Sequence, residues 1–226
     1  MSEARTAVLA RIRAQLARGS EAEAAAVADV AARLGRPTAN LVPARGRVAG
    51  EACVAQFEAM ARKVGTEVER LAGPEAIRPA VLAALRRHNL PMRLVRAADP
   101  LLEAAGLEAE PLLEVRTGVP EEADPTGLTV ALAGIAETGT LLLASAAERP
   151  TLLAFLPETS LVVLPTEAIV GSYEEAWARL RGRPGWPPRS VNLITGPSRT
   201  GDIPPSIELG AHGPKRLILF LVDRVA

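Results

Sequence analysis

The hydrophobic pattern divides the chain into a helical opening stretch and an alternating remainder. Residues 7–18 and 20–34 are Ala-rich, and Val8, Leu9, Ile12 and Leu16 fall on one helical face. Ser20 reads as an N-cap with Glu21 and Glu23 in the first turn, and Gly35 and Pro37 end the segment. A helical hairpin is therefore predicted, packed on the core or on a partner. Pro37, Pro43, Gly46 and Gly50 make residues 36–50 a linker. Residues 1–50 are thus read as a helical extension with its linker, and residues 51–226 as one α/β domain.

From Glu51 onward helical and strand patterns alternate. A helix is predicted over 52–64, a strand over 66–71 and a second helix that carries Pro79 in its first turn and ends at Arg87. A strand over 92–96 and a helix over 99–106 follow. That order argues for parallel strand pairing. Further short apolar runs at 112–115, 140–144, 152–155, 161–164, 191–195 and 216–222 read as strands. Turn residues such as Gly118, Gly139, Pro157, Pro165, Gly196 and Pro214 bound them. Runs apolar on both faces suit a sheet covered by helices. Residues 174–181 read as a helix and 183–189 as a loop. The predicted fold class is α/β with a central, mostly parallel sheet and an N-terminal helical extension.

Composition narrows the range of functions. The 226 residues are 48% hydrophobic and 23% charged, enough to bury a sizeable core. Twenty-six basic residues balance 26 acidic ones, so a nucleic-acid partner held by electrostatics is not expected. The single cysteine, Cys53, excludes an internal disulfide and an iron–sulfur cluster held by this chain alone. Two histidines leave little material for a metal site, and none is expected. No apolar run approaches the ~20 residues of a membrane span. Residues 1–5 lack the apolar stretch of a signal peptide, so a cytoplasmic location is expected. No G-x-G-x-x-G fingerprint points to a nicotinamide or flavin cofactor.

Two polar segments interrupt the apolar pattern. In Ala136-Glu137-Thr138-Gly139-Thr140, a carboxylate and two hydroxyls surround a glycine directly before a strand. Glu137 there could act as nucleophile or base, and Thr138, Gly139 and Thr140 could hold a polar ligand. The same residues also suit a plain turn with Gly139 at positive φ. The second segment, Thr195-Gly196-Pro197-Ser198-Arg199-Thr200-Gly201-Asp202, follows the run at 191–194. If that run is a strand of an open parallel sheet, its carboxyl end is where ligands bind. Gly196 and Gly201 would let backbone amides approach an anion, Ser198 and Thr200 would donate hydrogen bonds, and Arg199 would offer a bidentate fork. Asp202 would fix Arg199 or a ligand hydroxyl, or simply hold the loop in shape. His212 beside Gly213 is a candidate imidazole. His88 reads as a cation at a helix end, and Cys53 as a buried small hydrophobe.

These segments, with Leu209-Gly210-Ala211-His212-Gly213-Pro214, closely resemble the LUD-domain family over roughly residues 50–224. Gly201 and Pro204-Pro205 depart from the family pattern. The resemblance implies a fold like that of ribose-phosphate isomerases and coenzyme A transferases. In those transferases a glutamate near a glycine attacks the thioester, which makes Glu137 the implied catalytic residue beside His212. Small members of the family act in bacterial oxidation of L-lactate to pyruvate beside two iron–sulfur proteins. Those proteins are the implied partners and the place of the clusters, with no cofactor in this chain. A small anion is the implied ligand, in a crevice of Glu137, Ser198-Arg199-Thr200 and His212. An independent isomerase or transferase on a phosphorylated or coenzyme A-linked anion, and a non-catalytic scaffold, are the alternatives.

Overall fold

The computed structural model describes residues 3–16, 20–200 and 208–223. The chain divides into one unit ending at Leu41 and a second beginning at Val42. The first holds α1 (Glu3–Leu16) and α2 (Ser20–Gly35). Val8, Leu9, Ile12 and Leu16 of α1 are exposed, as are Val27, Val30 and Leu34 of α2.

The second unit begins with a single 3₁₀ turn at Ala44–Gly46 and α3 (Gly50–Lys63). Cys53, Val54, Phe57 and Ala61 recur along one face of α3 and are buried. Then come β1 (Glu67–Leu71), α4 (Ile77–Arg87), β2 (Arg93–Arg96), α5 (Pro100–Ala104) and β3 (Glu114–Thr117). Asp99 caps α5 by accepting from Leu101 N, and Pro100 supplies the helical φ of its first turn. After β4 (Thr126–Val130), β5 (Ala133–Ile135) and β6 (Thr140–Ala144) come β7 (Thr159–Pro165) and β8 (Ile169–Val170). α6 (Tyr173–Arg181), β9 (Val191–Ile194), β10 (Arg199–Thr200), β11 (Glu208–Leu209) and β12 (Arg216–Val222) complete the chain.

Six strands form one sheet in the order β1-β12-β7-β4-β2-β3, every pair parallel. The predicted α/β class with a parallel central sheet is what the structure shows. The two-residue period of β12 sorts its side chains cleanly. Ile218, Phe220 and Val222 join the α4 side, packed with Ile77, Val81 and Leu85. Leu217, Leu219 and Leu221 join the α3 side, packed with Val54, Phe57 and Ala61. Burying each such side chain stabilises by about 1.5–3 kcal/mol.

A second sheet runs β8-β5-β6-β9, with β6 antiparallel to both of its neighbours. α6 covers it through Ala176 and Leu180, which pack with Leu132, Ala133, Ile135 and Leu142. Ser172 caps α6 by accepting from Glu175 N, and the Glu175 carboxylate takes bonds from Ser172 Oγ and Gly171 N.

Two strand readings are corrected. Residues 152–155 are not a strand, because Thr151–Ala154 is a 3₁₀ turn with Leu152 half exposed. That turn rests on Gly127 of β4, where any Cβ would overlap the Leu153 carbonyl oxygen. β4 itself is buried along its whole length, yet threonines, Pro125 and Gly127 hide it in the sequence. The run at 191–194 is a strand, but it pairs antiparallel with β6 at the edge of the smaller sheet. The rule for carboxyl ends of parallel strands therefore does not apply to the loop after it.

Candidate functional site

Glu137 stands at the tip of the β5–β6 hairpin. The four-residue loop closes with Thr138 N and Gly139 N both donating to Ile135 O. Gly139 adopts φ +69°, and its α-carbon faces the backbone of α3, where a Cβ would come within 2.5 Å of the Met60 carbonyl carbon. Only glycine satisfies both conditions.

Glu137 is buried, its side chain 7% exposed. It accepts 2.8 Å from Arg45 Nη2, and its backbone N–H donates to Gly171 O. Gln56 of α3 ties the same region together, donating to Arg45 O at 2.7 Å and to Ala136 O at 3.1 Å. Gly46 is buried between Ser172 and the second Glu137 oxygen. A carboxylate so enclosed is pre-oriented and charge-compensated.

Next to it lies a hydroxyl network. Thr138 Oγ1, Thr140 Oγ1 and the Tyr173 hydroxyl are mutually bonded at 2.7–3.1 Å, and Thr140 also meets Thr195 Oγ1 at 2.7 Å. Each hydroxyl has one proton, so a ring of three with Thr195 donating into it satisfies every donor internally. Thr138 and Thr140 thus place their hydroxyl protons within the network.

The second predicted segment, which meets the first through Thr195, forms a polar cluster of its own further on. Gly196 takes φ +81° against Val64, where a Cβ would lie 2.6 Å from the carbonyl oxygen. Ser198 N donates to Pro214 O, Gly210 N to Ser198 O, and His212 N to Ser198 Oγ at 3.3 Å. Arg199 and Thr200 form β10, paired antiparallel with β11. The Arg199 guanidinium lies over Gly65 and is exposed, and no hydrogen bond or ion pair holds it among the described residues. Gly213 lies against Ser198, and the His212 residue is exposed. Asp202, Gly201 and Pro204-Pro205 lie outside the described residues.

The structure thus brings Ser198, Arg199, His212 and Gly213 together, and Glu137 with Thr138, Gly139 and Thr140. The Thr140–Thr195 bond links the first group to the start of the second segment, while no hydrogen bond or ion pair among the described residues joins Glu137 to Ser198, Arg199 or His212. Arg45, Gln56 and Tyr173 escaped the sequence reading because they are 92, 80 and 35 residues from their partners in the hairpin. Cys53 is buried, and burial pushes its thiol pKa up, with Glu175 adding to the effect. His88 caps α4 and meets Glu67 Oε2 at 2.9 Å.

Residues 121–222, which include both clusters, match the family model of the LUD domain. The matched stretch is similar to a LUD domain. Among curated proteins, an uncharacterized protein of Neisseria meningitidis is 34% identical over 96 residues, 42% of this chain and 41% of that protein. Lactate utilization protein C of Geobacillus kaustophilus is 34% identical over 94 residues, 40% of this chain and 39% of the relative. The protein of the same name from Anoxybacillus flavithermus is 32% identical over 99 residues, 43% of this chain and 44% of the relative. The similarity thus spans about two fifths of the length of these relatives. A DUF162 family protein from Deinococcus radiodurans has a similar fold, with TM-score 0.59 and 19% identity over 77% of this chain and 99% of that one. Among the described residues, no helix is long and apolar enough to cross a membrane.

Proposed function

We propose that the protein is an accessory subunit of lactate utilization, acting with iron–sulfur partner proteins in the oxidation of L-lactate to pyruvate. The observation that carries this reading is the LUD domain with its similarity to two lactate utilization C proteins. The redox chemistry supports it. Converting lactate to pyruvate releases two electrons and two protons, which need an acceptor. One buried cysteine cannot ligate an iron–sulfur cluster, so the acceptor belongs to the partners.

Within this role, Ser198, Arg199 and the His212–Gly213 turn are the residues proposed to meet a small carboxylate. Arg199 supplies a planar fork free of internal ion pairs among the described residues. Glu137 is proposed to maintain the hairpin rather than to attack a thioester, since its carboxylate is buried on Arg45.

Deletion of the gene in its native host tests the reading. Growth on L-lactate as sole carbon source is expected to fail and to return with the wild-type copy, while Arg199→Ala restores it poorly. Normal growth on lactate after deletion overturns the accessory role. Lactate oxidation by the isolated chain with an artificial electron acceptor would instead make it an independent enzyme.

A further inference from the structure

The parallel sheet has its own opening at the carboxyl ends of its strands, away from both predicted clusters. A cleft of about 780 Å³ lies there, bounded by residues that follow β1, β2, β4 and β7. That volume is in the usual range for organic ligands, and the position is where open parallel sheets bind them. Its apolar lining includes Val130, Ala131 and Leu132 at the end of β4 and Pro165 at the end of β7.

Six charged side chains line the same cleft. Arg149 is largely buried and already has two carboxylates, Asp99 at 3.8 Å and Glu148 at 3.3 Å. Asp99 is further occupied as the cap of α5. A hydrogen bond from its own backbone, then Arg149 and Arg183, hold the Glu148 carboxyl below the usual range, so it stays charged at neutral pH. Arg179 and Arg183 are different. Arg179 donates to the backbone oxygen of Glu167, and neither guanidinium has a carboxylate partner among the described residues. Glu148 acts on Arg183 only through space, and Glu167 is the remaining acid of the lining.

We infer that this cleft binds an organic carboxylate with an apolar body of several carbons, its head group on Arg179 and Arg183 and its body on the β4–β7 floor. Paired guanidinium forks match a planar carboxylate, and the floor rewards added methylenes. The inference does not depend on the role in lactate oxidation, because lactate would fill only a small part of the volume.

Titration of the full chain with acetate, butyrate, hexanoate and inorganic phosphate, read by calorimetry, tests it. Affinity is expected to rise roughly fourfold for each buried methylene from acetate to hexanoate. Arg183→Ala and Arg179→Ala are each expected to weaken hexanoate binding about tenfold or more, and Arg86→Ala to leave it unchanged. All three arginines are exposed, so the variants should fold, and circular dichroism would verify it. No saturable binding of any carboxylate, no dependence on chain length, phosphate binding as tight as hexanoate, or unchanged affinity in Arg183→Ala would each overturn the inference. Growth on lactate reports separately on the accessory role, so the two can fail independently.

Discussion

Arg45 reaches across 92 residues of chain to place its Nη2 2.8 Å from Glu137 Oε1, at the tip of the β5–β6 hairpin. Glu137 is buried and Arg45 is largely exposed, so the pair is asymmetric. Removing the arginine strands a desolvated carboxylate, whereas removing the carboxylate frees a side chain that water already reaches. Arg45→Ala is expected to destabilise by about 1–3 kcal/mol, and more than Glu137→Gln. Urea unfolding of both variants decides it. Equal losses would show that the burial of Glu137 is not what makes the pair matter.

Gly139 makes a sharper prediction. Alanine there meets both a left-handed backbone and the Met60–Ala61 peptide of α3. Gly139→Ala is expected to cost about 3 kcal/mol or more, since helix backbone cannot rotate aside. Gly185 also has positive φ, at +82°, but open space around it. Gly185→Ala should cost only about 1 kcal/mol. Thermal unfolding of the two side by side separates steric overlap from backbone strain.

The hydroxyl ring predicts a modest effect. Tyr173→Phe deletes one member and leaves Thr138 and Thr140 bonded to each other. A loss of about 1 kcal/mol is expected. A much larger loss, measured by denaturant titration, would mean that the ring also orders α6.

Stability should also depend on pH through Glu108. Partial burial raises its pKa, but its backbone hydrogen bond and the buried Arg96 outweigh that and hold the carboxyl below its ordinary range. A depressed folded-state pKa stabilises above the unfolded value, and the contribution disappears as pH falls through the folded one. Wild type should therefore exceed Glu108→Gln in stability near about pH 6, with the gap closing towards about pH 3. Because Glu108 is half exposed, the gap will be small. A gap that widens on acidification would refute the assignment.

Local pattern was enough for part of this architecture. The apolar spacing of Cys53, Val54, Phe57 and Ala61 marks α3, Asp99-Pro100 marks the start of α5, and the unbroken run of β12 marks a strand buried on both faces. The parallel class followed from the order of those elements, and the LUD resemblance from three short motifs that the family match at 121–222 includes. Each of these is a statement about near neighbours or about order along the chain.

What the tertiary structure decided is which of the motifs meet. β4 carries its reason for Gly127 in the Leu153 carbonyl of a distant turn, so its sequence looks like a loop. β9 looks like a core strand, yet its hydrogen bonds run antiparallel to β6, which moves the Ser198–Arg199 loop away from the carboxyl ends of the main sheet. Glu137 meets its ion-pair partner Arg45, and its neighbour Ala136 meets Gln56, only through contacts from far upstream. A sequence specifies its own periodicities because they arise from the backbone of one segment. Burial, partners and clefts arise from contacts between segments, and only the folded chain brings those together.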